Sequence, residues 1–186
     1  MNKAVFLDRD GTINVDKGYL HKIDEFEYID GALQGLRMFQ QAGYLLIVIT
    51  NQSGIARGFY TESDYLAIDR WMKEDLKNHG VDLTASYYCP HLPKAHLPRF
   101  RADCDCRKPR TGLFLRAACD YEIDFHKSYA IGDRLRDSQG ICASTGCHGF
   151  LIGHTEGKEQ TEQVKSDRFK NIAYADNLLS CAKAVL

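Results

Sequence analysis

The sequence predicts an α/β fold, a Rossmann-like parallel sheet with helices on both faces. Three observations carry that expectation. Short apolar runs recur at residues 4–7, 44–50, 83–88, 128–131 and 146–152, mostly continuous rather than alternating, as in strands buried on both faces. Stretches of helical period separate them, the βαβ alternation that builds a parallel sheet. The first, second and fourth runs each end in a polar cluster, at the rim where open α/β sheets bind ligands.

At 186 residues the chain is expected to form one domain over 1–186, large enough for a real core. Hydrophobic residues make up 44% and charged ones 26%, an ordinary globular balance. A net charge of -1 argues against broad nucleic-acid binding. The chain enters a charged strand at once, so no signal peptide is expected, and no apolar run approaches the ~20 residues of a bilayer span. These features lead us to expect a cytoplasmic monomer with no nucleic-acid or membrane partner. Seven cysteines make disulfides unexpected there, so clustered ones read as metal ligands or reactive thiols. Cys119, Cys142, Cys147 and Cys181 are scattered and read as small core residues.

The first run, AVFL, stops at Asp8, and Gly11 lets the backbone turn sharply. Asp8 and Asp10 therefore lie at the carboxyl end of a core strand. Two carboxylates this close are costly without a cation, and Mg²⁺ takes hard oxygen ligands and bridges to phosphate. DRDGT thus reads as a phosphoryl-transfer site with Asp8 as nucleophile, against the plainer reading of a polar turn. Residues 13–28 mix charge with aromatics and lack a clean period. They read as a loop or small hairpin over the sheet's end, either a substrate-reading flap or a plain surface loop.

Asp30 is placed to cap a helix over 31–41, with Leu33, Leu36 and Phe39 as its apolar stripe. Residues 44–50 form a central strand that delivers Thr50, Asn51, Gln52 and Ser53. A hydroxyl with backbone N–H groups can hold phosphate oxygens there, whereas a helix cap is the simpler role for Ser53. Thr61 with Asp64 opens a long helix to about His79, in which Trp71 is expected to pack.

The strand at 83–88 runs into Cys89-Pro-His91, twelve residues, then Cys104-Asp-Cys106. Three thiols and an imidazole in two close pairs make a tetrahedral Zn²⁺ site. Four protein ligands leave no open position, so the metal would be structural, the core of a zinc-stabilised loop insert at 89–106. His96 lies inside the loop, but the paired spacing favours His91. Arg107-Lys108-Pro109 follow directly, either as cations delivered to a developing phosphoryl charge or as a solvated basic run. A helix over 112–121 leads to the strand at 128–131 and then to Gly132-Asp133-Arg134. Asp133 reads as a further Mg²⁺ ligand or a helix cap. Asp137, one helical turn on, could orient Arg134 or a metal-bound water. Residues 146–152 form the fifth strand, 153–167 a polar loop, 171–174 an edge element and 177–185 a closing helix.

Asp8-x-Asp10-Gly-Thr, Thr50, Lys108 and Gly-Asp133-x-x-x-Asp137 resemble, in order and strand context, the four signatures of the haloacid dehalogenase-like phosphatase superfamily. Within it, FLDRDGTIN, Asp16-Lys-Gly-Tyr19-x-His21, ITNQSGIARG at 49–58 and CPH…CDCRKP resemble the heptose-bisphosphate phosphatases. That resemblance implies a single domain with no large cap and a small-molecule sugar phosphate substrate. It implies a cytoplasmic step in making the heptose of bacterial lipopolysaccharide or related glycans, by release of a C7 phosphate. The roles implied are Asp8 as nucleophile, Asp10 as acid and then base, and Mg²⁺ on Asp8, the Asp10 carbonyl and Asp133. Thr50 and Lys108 would hold the transferred group. Substrate contacts would come from Asp16, Lys17, Gly18, Tyr19, Thr50, Asn51, Gln52, Ser53, Arg107, Lys108 and Arg134. Arg134 departs from the lysine that relatives often carry, and its fork is not a neutral exchange.

Two rivals remain. The sister histidinol-phosphatases share the nucleophile, zinc ligands and lysine, but usually have a shorter zinc loop and lack the Gly18-Tyr19 pattern. A non-catalytic zinc-stabilised binding module should have lost at least one of Asp8, Asp10, Thr50, Lys108 and Asp133, and all five are present.

Overall fold

The structure, a computed structural model, describes residues 1–153, 169 and 171–186. The polar loop expected at 153–167 lies outside the described residues apart from Gly153. Six strands form one sheet: β1 (Ala4–Leu7), β2 (Leu45–Asn51), β3 (Ala85–Cys89), β4 (Tyr129–Gly132), β5 (His148–Ile152) and β6 (Ile172–Ala175). Their order is β3-β2-β1-β4-β5-β6, and every neighbouring pair is parallel. The chain leaves β1 towards β2 on one side and returns to β4 on the other. The switch between these two directions opens a crevice beyond the carboxyl end of β1.

Alternation along the strands divides the core. Val5, Leu7, Leu46 and Val48 face one layer, packed by α1 (Ala32–Gln41), α3 (Glu62–Asn78) and the closing helix α6 (Leu178–Val185). Numbering in chain order, α2 (Ser53–Arg57), α4 (Gly112–Tyr121) and α5 (Gln139–Thr145) complete the helices among the described residues. Ala4, Phe6, Ile47 and Ile49 face the second layer, which α4 and α5 cover. Each fully buried Leu, Ile or Phe contributes about 1.5–3 kcal/mol, which is why the central strands β1 and β2 carry no polar side chain until the carboxyl end of β2. No large cap domain stands over the sheet among the described residues.

Local signals were mostly, but not uniformly, obeyed. Thr61 and Asp64 form the expected reciprocal cap of α3. Trp71 packs at the edge of the first layer beside Phe26, as expected. Asp30 does not cap α1: Gly31 occupies the cap position at φ 80°, and no side chain bonds there. Ser53 is no cap either; it is the first residue of α2, a helix too short to show a period. Cys142, Cys147 and Cys181 are buried, but Cys119 is exposed on α4, which corrects the reading of all four as core.

Candidate active site

Asp8 follows β1 directly, and its amide donates to Ile131 O at 2.9 Å, so the sheet itself fixes this position. Gly11 then adopts φ 81°, and a Cβ there would collide with the Asp133 carboxylate. Only glycine meets both demands, and the tight turn brings β1 and β4 chemistry together.

Lys108 links the acids. Its ammonium donates to Asp8 Oδ1 at 2.8 Å and to Ile49 O at 2.6 Å, and pairs with Asp137 Oδ1 at 2.8 Å. Three donors thus meet three acceptors in a buried site. Burial opposes the charge on Lys108, but Asp137 and Asp8 outweigh it and its pKa rises. Burial pushes Asp8 up to about 6, with Lys108 pulling against it and Asp137 adding to it. Burial, then Asp137 and Asp8, push Asp133 up to about 7. Asp137 also accepts from Arg134 N at 3.0 Å, so it anchors the turn after β4 as well as Lys108.

Asp10 is turned to other partners. Arg9, buried beneath it, pairs with it at 2.9 Å and also donates to Leu20 O. Asn14 Nδ2 donates to Asp10 at 3.1 Å and Gln52 Nε2 at 3.0 Å. Gln52 Nε2 also donates to Thr50 Oγ1 at 2.9 Å, and its Oε1 accepts from Tyr60 Oη at 2.5 Å. Asn51 Nδ2 donates to Lys108 O and its Oδ1 accepts from Lys108 N, at 3.1 and 3.0 Å.

The loop after β3 gathers Cys89, His91, Cys104 and Cys106. Their sulfurs approach to 3.0–3.5 Å, and His91 Nδ1 stands 3.3 Å from Cys106 Sγ. All four donor atoms lie within 4.8 Å of one another, the convergence expected of ligands around one soft ion. His96 is not among them.

A cavity of about 350 Å³ joins these parts. Asp8, Asp10 and Asp133 line its floor. Asp16, Gly18 and Tyr19 line one side, from a segment that an isolated bridge between Asn14 and Tyr28 closes into a small hairpin. Arg57, Arg107 and Arg136 line it too. Burial lowers the Arg107 pKa; Cys89 and Cys104 oppose that, while nearby Arg136 and Arg57 add to it.

Among known proteins, the HAD-hydrolase-like family model matches residues 105–181. The D-glycero-beta-D-manno-heptose-1,7-bisphosphate 7-phosphatase of Escherichia coli O6:H1 is 50% identical over 142 residues, 76% of this chain and 75% of that protein. The protein of the same name from Yersinia pestis is 46% identical over 141 residues, 76% and 75% of the two chains. The chain belongs to the haloacid dehalogenase-like phosphatases. Among solved structures, a D,D-heptose 1,7-bisphosphate phosphatase from B. bronchiseptica, complexed with magnesium and phosphate, superposes with a TM-score of 0.83. It is 29% identical, with 100% of this chain and 98% of that one covered.

In this phosphatase the expected residues meet with few exceptions. Asp8, Asp10, Asp16, Gly18, Tyr19, Thr50, Asn51, Gln52, Ser53, Arg107, Asp133 and Arg134 line one cavity, with Lys108 buried against Asp8. Lys17 departs from expectation: its ammonium pairs with Glu27 at 2.9 Å and does not line the cavity. Asp137 does more than orient Arg134, because it completes the carboxylate cluster. Arg57, Tyr60 and Arg136 were not foreseen. Arg57 lies inside the ITNQSGIARG stretch and Arg136 between Asp133 and Asp137, so proximity to a motif was the available signal. Tyr60 had none.

The carboxylates of Asp8, Asp133 and Asp137 place oxygens within 4.8 Å of one another, a donor set suited to a hard divalent cation. The Asp10 side chain, held by Arg9, Asn14 and Gln52, would leave only its carbonyl for that ion. The crowding has a measurable sign. Raised acid pKa values mean that the folded state holds more protons than the unfolded one between about pH 4 and 7, so the metal-free protein loses stability as pH rises through that window. Mg²⁺ at this cluster would bind the ionised carboxylates. Its gain in melting temperature should therefore be larger at pH 8 than at pH 5.5, and equal gains in a thermal-shift series would reject this centre.

Proposed function

We propose that this phosphatase hydrolyses D-glycero-D-manno-heptose 1,7-bisphosphate, releasing the C7 phosphate. The observation that carries this reading is the composition of one cavity, with a carboxylate–lysine centre on its floor and three arginines on its wall. Arg57, Arg107 and Arg136 line the cavity without a carboxylate partner among the described residues, and three such cations suit an anion beyond the reacting phosphate. A bisphosphate supplies one. Histidinol phosphate has no second anion; beyond its phosphate it offers an ammonium and an imidazole, neither of which the arginines would attract.

Asp8 attacks phosphorus in line and forms an aspartyl-phosphate, while Asp10 protonates the leaving sugar oxygen and then takes a proton from the attacking water. Lys108 and the Thr50 hydroxyl hold the transferred oxygens. Gln52 donates to Thr50 Oγ1, so the hydroxyl proton is free to point at a phosphoryl oxygen. Asp8, Asp133 and the Asp10 carbonyl would hold Mg²⁺, which would supply positive charge to offset that of the phosphoryl group. Asp16, Gly18, Tyr19, Asn51, Ser53 and Arg134 shape the sugar end. Zn²⁺ on Cys89, His91, Cys104 and Cys106 is structural, and holds the 89–106 insert of one domain over 1–186. We place this monomeric enzyme in the cytoplasm, in the making of activated heptose for lipopolysaccharide or a related glycan.

Phosphate release from both anomers of the bisphosphate and from L-histidinol phosphate, at matched concentration with Mg²⁺, tests the substrate. The β anomer should be preferred, as it is in the names of relatives at 46–50% identity. A preference for histidinol phosphate would overturn the assignment while keeping the chemistry.

A further inference from the structure

Asp10 must face the leaving oxygen and later a water, and its carboxyl is held by Arg9, Asn14 and Gln52. Of these three, Gln52 also bonds Thr50. Its amide is buried and completely used: Oε1 accepts from Tyr60 Oη at 2.5 Å, and the two Nε2 protons go to Asp10 Oδ2 at 3.0 Å and Thr50 Oγ1 at 2.9 Å. An amide has two orientations, and an ionised Asp10, which only accepts, takes Nε2 and leaves Oε1 turned to Tyr60. The Tyr60 hydroxyl satisfies that buried oxygen and holds the amide in place between Asp10 and Thr50.

We propose that Tyr60 is a positioning residue for the phosphatase reaction, setting the Gln52 amide so that it directs both the Asp10 carboxyl and the Thr50 hydroxyl. The reach from α2 to Gln52 has been cleared for this ring. A Cβ at Gly54 would land on the Tyr60 ring, although Gly54 lies within α2 and its backbone makes no other demand for glycine. The far face of the ring stacks on His21 of the hairpin, with centroids 5.3 Å apart and planes 10° from parallel. His21 Nδ1 in turn lies 2.9 Å from Tyr19 O, and Tyr19 lines the cavity. The hairpin that meets the sugar and the carboxyl that handles its proton thus share one ring. A substrate that seats the hairpin also seats Tyr60, and through Gln52 completes the acid.

The inference rests on the proposed role of Asp10, and it is separable from the substrate assignment. Tyr60→Phe keeps the ring and its stack and removes only the hydroxyl. We expect kcat to fall about tenfold with KM within twofold, since one directing hydrogen bond of about 1.5 kcal/mol is lost, and the melting temperature to fall by only a few degrees. The loss should be larger for an alkyl phosphate than for 4-nitrophenyl phosphate, whose leaving group needs no proton. A purely structural tyrosine would lower the melting temperature and spare kcat, and kcat within twofold of the parent would overturn the proposal. Gly54→Ala, which displaces the ring by sterics, should show the same leaving-group dependence. A crystal structure of Tyr60→Phe decides the geometry whatever the substrate proves to be: a Gln52 amide still donating to Asp10 and Thr50 overturns the positioning role, and a rotated amide supports it.

Discussion

Asp8→Asn should reduce phosphate release by about 10⁴-fold or more while the protein remains folded. The substitution keeps the shape and the hydrogen-bonding capacity of the side chain, but an amide cannot form the acyl phosphate. The fold should tolerate it for a reason visible in the cluster. Asp8 is already pushed up to about 6 because burial and Asp137 disfavour its charge, so removing that charge relieves crowding in the metal-free state. Lys108 keeps Asp137 and the Ile49 carbonyl as partners. The variant should therefore melt at or above the parent temperature without Mg²⁺ and gain less from added Mg²⁺. Turnover within a hundredfold of the parent, measured with freshly prepared protein to limit deamidation, would reject Asp8 as nucleophile.

Cys106→Ala should have the second large effect, and it should fall unevenly on the two basic residues that follow. Loss of one thiolate opens the four-ligand cluster, so the metal content should drop from one zinc per chain towards none. A structural zinc contributes several kcal/mol to folding. At roughly 2–4 °C per kcal/mol for a chain of this size, the melting temperature should fall by on the order of 10 °C. Arg107 donates to His91 O at 3.3 Å and so depends directly on the loop. Lys108 is tied to Asn51 at the end of β2 and does not. The expected kinetic signature is a KM for a sugar bisphosphate raised about tenfold, the cost of one lost charged contact, with kcat less affected. Unchanged zinc content and melting temperature would count against the structural centre.

The parts of the site that sequence made legible share a physical property: their chemistry is local. Asp8 and Asp133 each end an apolar strand, and Cys89-x-His91 and Cys104-x-Cys106 pair within two residues, so spacing alone reports them. The strands β1 and β2 were legible because both their faces are buried and their apolar runs are continuous. What escaped depends on the fold. Arg57 and Arg136 become one cluster with Arg107 only when α2 and the turn after β4 converge on the cavity. Tyr60 reaches Gln52 only across Gly54. Lys17 had the right neighbours in sequence, yet a hairpin turns consecutive side chains to opposite sides, and its charge met Glu27 instead. The helices α2 and α5 are five and seven residues long, too short for periodicity to announce them.

The paired bonds between Asn51 and Lys108 mimic, through a side-chain amide, the exchange of N–H and C=O that two adjacent strands make. Lys108 is thereby docked onto the carboxyl rim of the sheet as though it were one residue of a further strand, although 57 positions separate it from Asn51. The surrounding loop can change in length or composition without carrying the ammonium with it. Placement of that charge inherits the stiffness of a six-stranded sheet rather than the tolerance of the 89–106 insert that precedes it.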